Sequence, residues 1–536
     1  MSPVPFTLAE FDLRERAVSR KGRWIKSAQL ALALVVLPQV STLLWWMQTH
    51  SWIQLRGFVN IEYLLLFAVA LLYPGWVTIS ALTAELTIAL LEPLGHLYYF
   101  SPGDAIRSFR YLSLVPTRLL LVYLLVLLVY MGGCVVILRF ALAGLPRGGS
   151  RQVAGMLVAV VLCSLSYDLS AGHLRPMYTS PEHRDEDLRT TKVVRAPVAS
   201  LAYATFILNR GTRVPARQLM LSSALGHAIG GLQRGTKPNI VLVLTESWGL
   251  AVDPRVNQAE LAPYLQPDLL QSYRVETGTV EFFGSTTSGE TRELCGNTLG
   301  RWGDTHSVDQ YRSCWPAELG RDGYTTIAVH GFTPTMYDRD TWYPELAFSE
   351  QVFLPELQRD GAKICSGAFP GACDADVAKW IGNRLEAKTP DRPLFVHWVT
   401  LNSHLPVAAV QDPGADRRCQ QTGIEEEGSL CAWFNRVLDV HKGVAELAMK
   451  SGIGPTIFII VGDHAPPFLR PEVRDRFSQV VVPWIVLRPR PISAPTSMYA
   501  ASRPKSADPV HEHRAAVSRK HVRVRRVPRV TPKMTG

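Results

Sequence analysis

The chain has 536 residues, 47% of them apolar, and a formal net charge of +10. It is too long for one ordinary core, so two or three folded units are expected. The segment from Arg488 onward holds twelve Lys/Arg against Asp508 and Glu512, which accounts for the whole excess; with no zinc-finger spacing and no RNA-binding signature elsewhere, nucleic acid is excluded as a partner.

Long apolar runs dominate residues 1–170, which read as a transmembrane domain of five helices. The first run, Ser27–Met47, follows Arg14, Arg16, Arg20, Lys21, Arg23 and Lys26, which places the N-terminus in the cytoplasm. The apolar stretch 58–91 is too long for one span, and Pro74-Gly75 divides it into Phe58–Tyr73 and Trp76–Leu91. Arg118–Leu142 and Val153–Leu169 are the fourth and fifth spans, and the loop between them carries Arg147 and Arg151 on the cytoplasmic side. Arg107 and Arg110 then sit outside, against the positive-inside rule. Glu85 falls inside the third span, where an ionisable group either has a function or faces other helices.

Five spans put everything after residue 170 outside the cytoplasm, whereas reading 58–91 as one tilted helix gives four spans and a cytoplasmic domain. Cysteine placement favours five. Cys134 and Cys163 lie in apolar runs as buried thiols, but the other six group as Cys295/Cys314, Cys365/Cys373 and Cys419/Cys431. Three local disulfides in an oxidising compartment are expected. Residues 171–236 read as a linker with interfacial helices, with some apolar periodicity at Leu201–Leu208.

From 237 to 490 the chain reads as a mixed soluble domain, outside the cytoplasm on the five-span reading. Short continuous apolar runs at Ile240–Leu244, Thr325–Val329, Leu394–Val399, Thr456–Val461 and Val480–Leu487 read as strands buried on both faces. Helical patterns at Ala375–Ala387 and Cys431–Lys450 alternate with them, so an α/β fold with a mostly parallel central sheet is expected. In such sheets ligands bind beyond the carboxyl ends of the strands. Those ends are unusually polar here: Thr245-Glu246-Ser247-Trp248, His330-Gly331-Phe332 followed by Tyr337-Asp338-Arg339-Asp340, Asn402-Ser403-His404, and Gly462-Asp463-His464. Two hard oxygen ligands and an imidazole, at Glu246, Asp463 and His464, suit a divalent ion such as Mn²⁺, Zn²⁺ or Mg²⁺.

As an ordered set, these motifs resemble those of the alkaline phosphatase/sulfatase superfamily. The branch they resemble is the membrane-bound phosphoglycerol and phosphoethanolamine transferases, which includes lipoteichoic acid synthase and lipid A phosphoethanolamine transferase. The resemblance implies a threonine that is both nucleophile and metal ligand, often written Gly-x-Thr with a glutamate four residues on. Within Gly284-Ser285-Thr286-Thr287-Ser288-Gly289-Glu290, Thr286 with Glu290 fits that spacing, and Thr287 is the alternative. A Gly-punctuated Ser/Thr loop is also ordinary turn chemistry. Catalytic residues are then Thr286, His404 and Arg339, and metal ligands Glu246, Thr286, Asp463 and His464. Arg339 either neutralises phosphate or pairs with Asp338 or Asp340, and His404 binds phosphate or protonates a leaving oxygen unless it is a buried, hydrogen-bonded histidine. His330 is a further histidine of that kind. Trp248 and Trp342 line a headgroup pocket or pack.

The implied activity is metal-dependent transfer of a headgroup from phosphatidylglycerol or phosphatidylethanolamine to an envelope glycan or glycolipid through a phosphothreonine. The implied location is the bacterial inner membrane, with the catalytic domain on the periplasmic side. A hydrolase using water, or a non-catalytic envelope protein, are the other readings. Type I sulfatases need Cys-x-Pro-x-Arg. Here Cys314-Trp315-Pro316-Ala317-Glu318 lacks the arginine and lies well past the nucleophile position, so Cys314 reads as a partner for Cys295. Residues 491–536 read as a basic, disordered tail, either solvated or drawn to anionic lipid.

Overall fold

A computed structural model describes residues 61–73, 75–85, 108–114, 117–143, 150–170, 223–230, 236–282, 285–296, 311–388, 392–407, 414–425, 428–468 and 470–490, with Leu232 and a few positions between 32 and 40. The chain divides into two units, Met1–Arg490 and Pro491–Gly536, and the second lies outside the described residues.

In the apolar half, α1 is Ile61–Leu72, helix resumes over 75–85 after a bend at Tyr73, α2 is Thr117–Ala143 and α3 is Ser150–Ser170. These helices overlap four of the five expected spans, and the first two are separated by the bend at Tyr73, just before the expected break. The span Ser27–Met47 lies almost wholly outside the described residues. Among those described, one helix segment, Leu120–Phe140, is long and apolar enough to cross a membrane; Glu62–Leu72 and Arg151–Cys163 are shorter apolar helices. Glu85 is buried. Cys134 is buried, but Cys163 is exposed on α3, so only one of the two thiols fits the buried reading. Of the expected linker, α4 (Ala224–Gly230) is described, and it buries Ala224, Leu225 and Ala228 in the same core as the sheet.

That sheet has seven strands in the order β2-β9-β8-β1-β7-β3-β4. They are β1 Asn239–Thr245, β2 Tyr273–Glu281, β3 Thr325–His330, β4 Glu350–Val352, β7 Leu394–Val399, β8 Thr456–Gly462 and β9 Val481–Pro489, with β5 (Ile364–Cys365) and β6 (Gly371–Ala372) forming a separate pair. β1 pairs in parallel with β7 and β8, and β3 in parallel with β7 and β4. Only β9 reverses direction, against both β8 and β2. β1 and β8 are buried along their whole length, which is why their sequences are unbroken apolar runs. β2 escapes that signature because it is half exposed and its residues alternate.

Four helices bear on the site: α5 (Thr286–Cys295), α6 (Arg339–Glu345), α7 (Asp374–Glu386) and α8 (Gly428–Ala448). The Gly-punctuated Ser/Thr segment is therefore a helix start and not a turn, with Ser285 at the N-cap. The disulfides are Cys295–Cys314, Cys365–Cys373 and Cys419–Cys431, the three neighbouring pairs.

At the amino ends of the central strands Asn239 joins three of them. Its amide donates to Ile453 O (2.9 Å) and Thr456 Oγ1 (3.2 Å), and its Oδ1 accepts from Leu394 N (3.0 Å). Asn239→Leu should destabilise the domain by about 1–3 kcal/mol, since buried partners lose their bonds. The check is a lower urea midpoint with unchanged slope.

Candidate active site

Glu246 is the first residue after β1, and Asp463 and His464 follow the neighbouring β8. One ligand atom from each of the three lies within 4.8 Å of the others, and all three residues are buried. Thr286, the first residue of α5, brings its Oγ1 to Glu246 Oε2 as a donor at 3.1 Å. Thr287 is also buried, but its Oγ1 lies 3.4 Å from Ser285 Oγ. The four residues expected to share a cation thus meet at one rim of the sheet.

The backbone around Glu246 is fixed by residues whose roles sequence reading did not assign. Glu246 N donates to Thr400 Oγ1 (2.9 Å), and Ser403 Oγ donates to Glu246 O (2.6 Å), so the end of β7 grips both sides of this residue. Ser247 donates from Oγ to Glu246 Oε1 (2.7 Å) and from N to Asp463 Oδ1 (2.7 Å). It does so at φ +56°, a left-handed conformation that L side chains disfavour. Trp433 Nε1 holds the Ser247 carbonyl at 3.0 Å. Two glycines allow the close approach: a Cβ on Gly289 would lie 3.0 Å from Asp463 Cα, and one on Gly462 would lie 1.9 Å from Trp248 O. A glycine three residues into a helix of Ser/Thr was the visible signal for the first.

The electrostatics are those of a cation site. Asp463 Oδ1 accepts from Ser247 N and from His464 N (2.6 Å), but Asp463 Oδ2 is buried with no hydrogen bond. Burial and the adjacent Glu246 charge push the Asp463 carboxyl well above the usual carboxylate range. Burial would raise Glu246 too, but the His404 and His464 imidazoles and the Ser247 and Thr286 hydroxyls outweigh it and hold Glu246 below its ordinary value. His464 Nδ1 faces Ala465 O at 2.9 Å; a carbonyl only accepts, so Nδ1 carries a proton and Nε2 is the nitrogen that faces the carboxylates, 3.4 Å from Asp463 Oδ2 and 3.8 Å from Glu246 Oε1. A buried carboxylate oxygen without a hydrogen bond, a second carboxylate, a hydroxyl and an imidazole nitrogen turned toward them together fit a divalent ion.

The remaining expected residues divide. His404 is half-buried, donates Nδ1–H to Leu405 O (2.8 Å) and packs edge-on to Phe369. It stands near enough to Glu246 to lower that carboxyl. His330 is buried, bonded through Nδ1 to Val399 O (3.0 Å), and its pKa falls to about 3 through burial and the Arg339 charge, so it is neutral. Arg339 is not poised toward a phosphate, nor paired with Asp338 or Asp340. It is 1% exposed and its Nε and Nη2 donate to Glu290 Oε1 at 3.1 and 2.6 Å. Tyr343 OH donates to Glu290 Oε2, and His397 Nε2 lies 3.4 Å from that oxygen. Glu290 is four residues after Thr286 on the same helix, so this ion pair anchors the helix that begins with the candidate nucleophile. Asn402 is also structural: its Oδ1 accepts from Asp374 N (2.7 Å), while Asp374 accepts from Leu401 N and Asn402 N. Trp248 packs under the site with its Nε1 on Glu260 Oε2 (3.0 Å), and Trp342 Nε1 caps Tyr337 O (3.1 Å).

This geometry matches a family-level comparison. The sulfatase family model covers residues 238–511, from the start of β1 to beyond β9. The chain belongs to the sulfatase family. No curated protein matches its sequence. Among solved structures it is similar to the integral membrane lipooligosaccharide phosphoethanolamine transferase A from Neisseria meningitidis, at 12% identity over 86% of this chain and 88% of that one, TM-score 0.41. It is also similar to the phosphoglycerol transferase GacH of Streptococcus pyogenes (15% identity, 51% and 77% covered, TM-score 0.33) and to the lipoteichoic acid synthase LtaP of Listeria monocytogenes (16%, 49% and 70%, 0.34). Within this sulfatase-family domain, Cys314 is closed in its disulfide with Cys295, so it is not a formylglycine precursor.

Arg339→Ala should destabilise the protein by about 3–5 kcal/mol, because it strands a buried carboxylate. A free phosphate ligand would instead lose turnover with stability unchanged, and thermal unfolding separates the two. Burial raises Glu290, but the Arg339 charge and His397 override it and lower its pKa to about 2, against an ordinary 4.5. The stabilisation is therefore complete above pH 4.5 and lost as pH falls toward 2. Acid unfolding of the wild type should show that loss, and Glu290→Gln should flatten it.

Proposed function

We propose that this protein transfers a phosphate-linked headgroup, phosphoglycerol or phosphoethanolamine, from a phospholipid to an envelope glycan or lipid. The observation that carries the reading is Thr286 Oγ1 at the start of α5, bonded to Glu246 Oε2 beside Asp463 and His464.

Glu246, Thr286, Asp463 and His464 would hold one divalent ion. When bound, it supplies Lewis-acid charge that makes a threonine alkoxide accessible near neutral pH. The hydrogen bond to Glu246 Oε2 marks the direction in which the Thr286 proton leaves. Thr286 Oγ1 attacks the phosphorus of the lipid phosphodiester, the diacylglycerol oxygen departs, and the headgroup phosphate stays on Thr286. His404, with Nδ1 fixed on Leu405 O, presents Nε2; as the imidazolium it donates the proton the leaving oxygen needs. An acceptor hydroxyl then attacks the same phosphorus and the Thr286 oxygen leaves with a proton. Arg339 acts in this scheme by fixing Glu290 and thereby α5, not by touching phosphate. The buried orientation of His330 gives it a supporting place in the rim.

The apolar half supports a lipid donor. An enzyme anchored by several spans samples the bilayer surface at high effective concentration. The three disulfides support an extracytoplasmic domain, as does the five-span reading of the sequence, on a bacterial inner membrane.

Thr286→Ala should abolish transfer while the protein still inserts and folds. Incubating the wild type with mixed phospholipids and digesting it should yield a Thr286 peptide heavier by one phosphoglycerol or phosphoethanolamine unit; an adduct on Thr287 would move the nucleophile. Excess EDTA should remove activity and Mn²⁺ or Zn²⁺ restore it. Headgroup-modified acceptor marks a transferase, and free headgroup phosphate alone would make the protein a hydrolase.

A further inference from the structure

One contact joins the apolar half to the rim of the active site. The 3-10 helix Phe109–Leu114 ends three residues before α2 begins at Thr117. Arg110 Nη1 donates to both oxygens of Asp338, at 2.9 and 3.0 Å, and Tyr111 OH donates to Asp338 Oδ1 at 3.4 Å. The Tyr111 ring meets Tyr337 edge-on at 6.4 Å. Both rings pack on the small apolar cluster of Phe332, Met336 and Leu401 at the ends of β3 and β7, beside Phe369, against which His404 rests. This pairing also explains why Arg110 departs from the positive-inside rule: its carboxylate partner is on the catalytic domain.

The turn it holds is strained. Tyr337 and Asp338 have φ of +58° and +55°, two consecutive left-handed residues without a glycine. Such a turn persists only where its surroundings hold it. Trp342 Nε1 holds it from the catalytic side, and Arg110 and Tyr111 from the membrane side. The next residue is Arg339, whose guanidinium lies 5.4 Å from the Tyr337 ring and binds Glu290 on the helix of Thr286. A continuous line of contacts thus runs from the start of a membrane-length helix to the candidate nucleophile. With three residues per turn, Phe109 and Leu112 share one face of the 3-10 helix, and they are 50% and 42% exposed. A face of that kind, next to the entry of α2, fits the headgroup layer of the bilayer.

We propose that the 3-10 helix Phe109–Leu114 is the membrane-side wall of the active site, with Arg110 and Tyr111 as positioning residues that clamp the Tyr337–Asp338 turn and hold the Thr286 site at the height where a phospholipid's phosphodiester lies. The inference rests on the lipid-donor reading above. It assigns the clamp to presentation of a bilayer substrate, not to the bond-breaking step.

The test uses the full-length chain, loaded with Mn²⁺ and reconstituted. Turnover is compared on vesicles of phosphatidylglycerol and phosphatidylethanolamine and on a soluble diester, bis(4-nitrophenyl) phosphate. Arg110→Ala should lower vesicle turnover by about tenfold or more, as misplacement of a donor does, and lower soluble-diester turnover by a clearly smaller factor. Arg110→Lys should restore most of the vesicle rate. Unchanged vesicle turnover in Arg110→Ala overturns the inference, and so does an equal fall on both substrates. Independently of activity, Arg110→Cys with Asp338→Cys should be joined by a short bifunctional thiol cross-linker in the membrane-embedded protein; failure of the cross-linker to join them overturns the contact. A wild type active on the soluble diester but inert on vesicles refutes the donor reading itself.

Discussion

Two buried carboxylates stand side by side at the ends of adjacent strands, and most of the site follows from that. Glu246 and Asp463 cannot both carry full charge in a buried rim without a cation between them. The conflict shows in the opposite displacement of their acidities and in Asp463 Oδ2, which accepts no hydrogen bond. His464 and Thr286 complete the donor set from two directions, one from the same loop as Asp463 and one from the first turn of α5. A site with this charge imbalance fits a divalent cation.

Holding such a site open requires support that is itself buried and paired. The Glu246 backbone is bonded by Thr400 and Ser403, Ser247 bridges the two carboxylates from a left-handed conformation, and Gly289 lets α5 lie against Asp463. Beneath them the Arg339–Glu290 pair, with Tyr343 and His397, fixes the register of α5. Positions 400 and 403 follow β7, 339 and 343 follow β3, and 247 follows β1. Parallel strands in the order β8-β1-β7-β3 bring these loops to the carboxyl ends of the strands, which is the reason an ordered set of distant motifs becomes a single cluster.

Much of this was legible in the sequence. Five strands and the helices at 374–386 and 428–448 were readable because full burial leaves unbroken apolar runs or clear helical spacing. The candidate ligands were noticeable because carboxylates and histidine directly after such runs are costly without a purpose. What escaped detection had weaker signatures. β2 alternates because one face is exposed, and β4 is three residues long. Arg339 looked like a phosphate ligand because nothing in the chain reveals that Glu290 lies within 2.6 Å of it. Thr400, Ser403 and Ser247 act through single hydroxyls, whose partners only the fold supplies. Arg110 stood out as a charge on the unexpected side of the membrane, but its partner lies 228 residues away.

The account stands or falls on where a cation binds. Crystals of the full-length protein grown with Mn²⁺ should show one anomalous-scattering peak within coordination distance of Glu246, Thr286 Oγ1, Asp463 Oδ2 and His464 Nε2. A fully occupied ion elsewhere, with those four side chains coordinating nothing, would contradict it.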